Sequence, residues 1–148
     1  MKWIETRTIR TNVSVSSWEE AVEKSGELLV GAGFVEPCYI GAMVETTKEL
    51  GPYCVIAPGI AIPHARPENG VKTNGFSAIT LIKPVEFGNQ DNDPVYLVIA
   101  LSALNHEAHI ESLSLLARKI SVEGFIEQAK QASDEDELER LLNSPEKD

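Results

Sequence analysis

The sequence predicts an α/β layered domain in which helices cover a mixed sheet, and three observations carry that reading. Helical periodicity marks both ends of the chain, apolar runs of β-formers lie between them, and clustered proline and glycine fall between the periodic segments as loops do. No fixed-period repeat or low-complexity block divides the chain, so residues 1–148 read as one domain. At 148 residues and 43% hydrophobic composition, such a chain can bury a real core without disulfide or metal support.

The first strong helix opens at Ser17-Trp18-Glu19-Glu20, where Ser17 caps the orphan amides and Glu20 reaches back to the cap. Trp18, Ala21, Val22, Leu28 and Leu29 then recur at helical spacing, and Gly31 and Gly33 offer the left-handed conformations that end it. A second helix starts at Pro37, whose missing amide hydrogen costs nothing in a first turn. Tyr39, Ile40, Met43, Val44 and Leu50 form its buried stripe, and Gly51-Pro52 stops it.

The period then changes. Residues 53–57, 76–82 and 95–101 read as strands, the last apolar enough to be covered on both faces. From Asn105 the helical period returns, with Ile110, Leu113, Leu116, Ala117 and Ile120 on one side. Ser121 and Ser133 read as caps of two further helices, one carrying Val122, Phe125, Ile126 and Ala129, the other Leu138, Leu141 and Leu142. Residues 143–148 read as a frayed tail.

Composition excludes several function classes. Thirteen basic against 23 acidic side chains give a formal charge of -10, which repels a nucleic-acid backbone or an anionic lipid surface. No apolar run approaches the length that spans a bilayer, so no membrane insertion is expected. The N-terminal stretch Met1-Lys2-Trp3-Ile4-Glu5-Thr6-Arg7 lacks the apolar core and small-residue cleavage site of an export signal, which predicts a cytoplasmic chain with Cys38 and Cys54 reduced. There is no GxSxG and no GxxxxGK[ST], and Gly31-Ala32-Gly33-Phe34-Val35-Glu36 lacks the third glycine and follows a helix, so serine-hydrolase, P-loop and Rossmann chemistry drop out. The acidic runs at Glu19-Glu20 and residues 134–139 read as solvated helix faces.

Two stretches remain where chemistry can reside. In Pro58-Gly59-Ile60-Ala61-Ile62-Pro63-His64-Ala65-Arg66-Pro67-Glu68-Asn69-Gly70, the prolines and glycines fix a path that is neither helix nor long strand, and its first half is apolar enough to be buried. Such a loop holds His64 in a defined place, as a nucleophile whose anionic product Arg66 would neutralise. Taken alone, one histidine beside one arginine is more commonly a surface pair. In Asn105-His106-Glu107-Ala108-His109-Ile110, capping by Asn105 places both histidines in the first two helical turns, where unpaired amides attract anions. In isolation these histidines also read as the edge of a core. A zinc site built from His106, His109 and either His64 or a cysteine competes poorly, because neither HExxH nor CxxC is present and Arg66 is an unhelpful neighbour for a cation.

The run Gly59-Ile60-Ala61-Ile62-Pro63-His64-Ala65-Arg66, followed by His109-Ile110 ahead of a leucine-rich helix, resembles the IIA components of the bacterial sugar phosphotransferase system (PTS), mannitol/fructose type. Ser17-Trp18-Glu19-Glu20-Ala21, Gly51-Pro52-Tyr53 and residues 55–67 look like its L-ascorbate branch. The resemblance implies a three-layer α/β/α sandwich with a mixed, mostly parallel central sheet flanked by helices. It also implies a phosphotransferase that works through a phosphohistidine, with His64 as the phosphoacceptor and His109 assisting transfer. Phospho-HPr would be the donor, a cysteine of a IIB protein or domain the acceptor, and a membrane IIC component the eventual route of the sugar. No cofactor or metal is implied. A regulatory IIA-like protein, whose phosphorylation state controls another protein, would share the same histidine. Mannitol-type members carry an arginine at about the position of Lys48, and a lysine cannot offer the same bidentate fork; Arg66 is the alternative source of charge. The resemblance assigns no role to His106.

Overall fold

A computed structural model describes residues 2–145 of the chain. Its strands are β1 (Ile9–Val13), β2 (Val55–Ala57), β3 (Ile60–Ala61), β4 (Gly75–Val85) and β5 (Val95–Ser102). They form one mixed sheet in the order β1-β4-β5-β3-β2. Parallel and antiparallel pairings alternate across it, so that β1, β4 and β2 run one way and β5 and β3 the other. The helices are α1 (Trp18–Gly31), α2 (Cys38–Leu50), α3 (His106–Ile120), α4 (Phe125–Gln131) and α5 (Glu135–Asn143).

The period-2 alternation of β5 explains the layering. Leu97, Ile99 and Leu101 point into one core with Leu116, Phe125, Ala129, Leu138 and Leu142 from α3, α4 and α5. Val98 and Ala100 point into the other, with Ala21, Val22, Leu29, Tyr39 and Met43 from α1 and α2. The apolar run at residues 95–101 is thus covered on both faces, and the fold is the expected three-layer α/β/α sandwich.

Differences from the sequence reading are local and have local causes. Ser17 does cap α1 by accepting from the Glu20 amide, but the Glu20 carboxylate reaches one residue further back, to the amide and hydroxyl of Ser16. The same arrangement recurs at α5, where Asp134 is the cap and Ser133, the residue expected to cap, instead donates to Glu137. In each case the residue before the cap offers both an amide and a hydroxyl to one carboxylate. Of the two glycines at the end of α1, only Gly33 is left-handed (φ 80°), with its amide and that of Phe34 closing back on Val30 and Leu29. Ser121 ends α3 rather than starting a helix, and left-handed Gly124 precedes α4.

Three apolar positions assigned to buried stripes face outward instead: Leu50 (59% exposed), Ile110 (51%) and Ala117. Polar residues near them, Thr47 on α2 and Ser112 and Lys119 on α3, are buried instead. The start of the expected tail is held. The Asn143 side chain accepts from the Trp3 amide at 2.8 Å and donates to the Ile4 carbonyl at 2.9 Å, while Lys119 Nζ donates to the Ser144 carbonyl. Residues 146–148 of that expectation lie outside the described residues. Both cysteines are free; Cys38 is exposed, while burial pushes the Cys54 thiol up to about 11 and keeps it protonated in the core.

Candidate functional site

The parallel pairing of β3 with β5 is what assembles the site. Ile60 and Ala61 align with Leu97 and Val98, so the carboxyl ends of both strands leave the sheet on the same side. The chain after β3 becomes the proline-rich loop, and the chain after β5 becomes the start of α3, which brings residues far apart in sequence together.

Glycine is required at the entry to β3. Gly59 has φ 81°, its amide donates to the Asn92 carbonyl, and a Cβ there would lie 3.3 Å from the Ile126 side chain. The loop then tracks β5 beyond the paired residues. The Ile62 amide donates to the Cys54 carbonyl at 2.8 Å and the Leu101 amide donates to the Pro63 carbonyl at 3.3 Å. The apolar first half, residues 60–63, is buried as expected, and His64 is the first residue to emerge, half-buried.

The ring of His64 is held at one nitrogen. Its Nδ1 lies 2.9 Å from the carbonyl oxygen of Ile62. A carbonyl can only accept, so this contact places the proton on Nδ1 and leaves the lone pair on Nε2. Burial lowers the pKa of His64 below the ordinary value of 6.5; the Ile62 bond opposes the shift and the neighbouring His109 adds to it. At neutral pH the ring is therefore uncharged.

His109 meets it from α3, with ring centroids 4.8 Å apart and planes inclined at 55°. Burial also lowers the pKa of His109, with His106 adding a smaller contribution. Asn105 caps α3 as the sequence predicted, its side chain accepting from the Ala108 amide at 2.8 Å and its carbonyl from the His109 amide at 3.0 Å. The helical amides of His106 and Glu107 have no intrahelical partner and stand at the positive end of the helix dipole.

These groups line a cleft of about 900 Å³. Arg66, His106 and His109 line it with His64, so the structure brings together the loop and helix motifs that the sequence singled out. Lys48 does not join them. The side of α2 facing the cleft carries Ala42, Glu45, Thr46 and Glu49, and Lys48 is rotated off that side with its Nζ 3.8 Å from Glu45 Oε1. Among the described residues, no group of three or more His, Cys, Asp or Glu side chains is placed to hold a metal ion.

Two tyrosines contribute to which the sequence assigned no role at the site. Tyr53, half-exposed on the cleft wall, approaches His64 edge-on with ring centroids 6.5 Å apart. Tyr39, fully buried on α2, hydrogen-bonds through its hydroxyl to the loop at Ala65 and to β5 at Leu101. The sequence held a signal for the second: a tyrosine in a buried stripe must find partners for its hydroxyl, as a purely apolar side chain there would not.

Among the described residues no helix is long and apolar enough to cross a membrane. A family model described as "Phosphoenolpyruvate-dependent sugar phosphotransferase system, EIIA 2" matches residues 2–144. The ascorbate-specific PTS system EIIA component of Escherichia coli (strain K12) is 48% identical over 107 residues, 72% of this chain and 70% of that protein. A chain from the complex of enzyme IIA and phosphorylated enzyme IIB for mannitol, also from Escherichia coli, superposes with a TM-score of 0.86 at 30% identity, over 98% of this chain and 100% of that one. The nitrogen regulatory protein IIA-Ntr of Neisseria meningitidis gives a TM-score of 0.80 at 27% identity, over 95% of this chain and 96% of that one.

Proposed function

The chain belongs to the EIIA 2 family of the phosphoenolpyruvate-dependent sugar phosphotransferase system, and on that premise we propose that His64 accepts a phosphoryl group from phospho-HPr and passes it to a cysteine of a IIB protein or domain. The observation that carries this reading is a pair of imidazoles with ring centroids 4.8 Å apart in an open cleft, one of them tied through Nδ1 so that Nε2 is free to attack. In this reading the Nε2–phosphorus bond forms as the donor's nitrogen–phosphorus bond breaks, and the proton stays on Nδ1, donated in a hydrogen bond to the Ile62 carbonyl. The group in flight carries close to two negative charges. A ring N–H of His109, the amides of His106 and Glu107, and the Arg66 guanidinium at the cleft wall are the donors available to it. The reaction so described uses neither metal nor cofactor.

The relation to an ascorbate-specific EIIA component supports L-ascorbate as the sugar served, taken up through a membrane IIC component that this chain reaches only by way of IIB. A single EIIA domain over residues 1–148, acting in the cytoplasm, completes the proposal. Likeness to a nitrogen regulatory IIA favours a second reading, in which phosphorylation of the same histidine controls a protein partner.

The test is to mix the purified chain with enzyme I, HPr and phosphoenolpyruvate, and then add the ascorbate IIB protein. One acid-labile phosphate per chain, located at His64 by intact-mass and peptide measurement, followed by its appearance on a IIB cysteine, is the expected result. Phosphate that enters but never reaches IIB would favour the regulatory reading, and no phosphate at His64 would overturn both.

The lowered pKa of His64 gives a pH expectation. Only the neutral ring can attack, and a depressed value keeps it neutral to lower pH than a solvated histidine. The rate of phosphorylation should therefore hold as pH falls past about 6.5, the ordinary histidine value, and decline only below it. A stopped-flow pH profile of the half-reaction with phospho-HPr, corrected for the donor's own titration, checks this; a midpoint at or above that value would contradict it.

A further inference from the structure

We infer that Tyr39 is the positioning residue of the His64 loop, its hydroxyl tying the loop to β5 so that the imidazole is presented in the reactive tautomer and orientation. The inference rests on the role proposed for His64. Tyr39 has no accessible surface and lies two helical turns before the cleft-lining Thr46, touching neither the cleft nor any group in flight. Its oxygen accepts from the Ala65 amide at 2.9 Å and has one proton to give, best placed toward the Leu101 carbonyl at 2.8 Å rather than the Ala65 carbonyl at 3.2 Å.

The arrangement has three consequences. Ala65 directly follows His64, so fixing its amide fixes the peptide plane that joins the two residues. Leu101 is the residue whose own amide donates to the Pro63 carbonyl, so the two peptide groups of Leu101 and the tyrosine hydroxyl clamp the loop on both sides of His64. The distance from Nδ1 to the Ile62 carbonyl, which sets the tautomer, is measured across that same short stretch. Nothing else among the described residues donates to or accepts from the Ala65 main chain. Burial pushes the Tyr39 hydroxyl up to about 12, which keeps its proton in place over the whole working pH range. The loop's prolines restrict its path, but they cannot donate hydrogen bonds; the tyrosine supplies the lateral tie that they lack.

The experiment is Tyr39→Phe, read in two ways that a purely structural role would leave unchanged. The first is the half-reaction with phospho-HPr, in which the maximal rate should fall about tenfold with little change in the concentration of phospho-HPr at half-maximal rate. The second is the nitrogen NMR spectrum of the His64 ring, which should show Nδ1 protonated and Nε2 bare in the wild type and a growing share of the opposite tautomer in the variant. A lower melting temperature with unchanged rate and unchanged ring spectrum would overturn the inference. Should the variant fail to fold, the wild type still decides. The Ala65 amide should exchange with solvent far more slowly than those of Arg66 and Glu68 in the same loop, and comparable exchange, or a wild-type ring protonated mainly on Nε2, would overturn the inference. These NMR measurements need no phosphate, so a wild type that orders His64 but is never phosphorylated would count against the proposed function alone.

Discussion

His64→Ala takes up no phosphate from phospho-HPr while remaining folded: this is the expected result with the largest effect. Loss of the nucleophile removes the covalent step itself, and neither His109 nor His106 can replace it, since each is carried on a helix rather than on the loop whose carbonyl fixes the ring at position 64. The fold should tolerate the change. The His64 side chain is half-exposed at the edge of a cleft, and its one hydrogen bond frees only the Ile62 carbonyl, for about 1 kcal/mol or less when water can reach it. Intact-mass measurement after incubation with the donor system reads the first part and a thermal melt the second. Residual stoichiometric labelling would move the phosphoacceptor to another residue.

The second large effect belongs to His109→Ala. The wild-type ring sits 4.8 Å from that of His64, close enough to donate to a phosphoryl group on Nε2 yet without a hold on the ring itself. Phosphate should therefore still reach His64 in full stoichiometry, while transfer onward to IIB slows by roughly 10²-fold, the usual loss on removing one donor preorganised for a developing charge. Rapid-quench measurement of phosphate appearing on the IIB cysteine checks the rate, and peptide mapping checks the site of the label. Transfer at the wild-type rate would remove His109 from the mechanism and leave the α3 amides as the charge-stabilising group.

How much of this was legible in the sequence depended on whether the signal was local. The caps at Ser17 and Asn105, the stop at Gly51-Pro52 and the doubly covered strand at residues 95–101 each depend on chemistry within a few residues, and each is present. Strand β1 escaped notice because Ile9–Val13 alternates weakly, with Arg10 and Asn12 outward and Asn12 at φ 56°, and owes its conformation to β4 and to the α5 carboxylate of Glu135, which accepts from Thr11. The held tail was invisible for a similar reason: Asn143 and Ser144 are polar residues at a helix end until the N-terminal segment and Lys119 arrive from elsewhere in the chain.

The site divides along the same line. The loop and the capped helix were each legible, and their convergence was known only through family resemblance, since parallel pairing of β3 with β5 is a long-range fact. The sequence left the role of Lys48 open between it and Arg66, because counting along a helix does not say which of its sides meets a cleft; in the structure Thr46 rather than Lys48 lines it. Tyr39 was read as part of an apolar stripe; its type announces a hydroxyl in need of partners, and only the fold shows that these are Ala65 and Leu101.

Strand β3 is two residues long, too short for its own ladder to resist sliding. What locks its alignment is the interior: Ile60 and Ile62 fill one core and Ala61 the other, so a shift by a single position would exchange large for small on both sides at once. The aim of the His64 ring is therefore inherited from the volumes of methyl-bearing side chains that lie outside the cleft, and exchanging alanine for isoleucine deep in the sandwich would shift that ring at its surface.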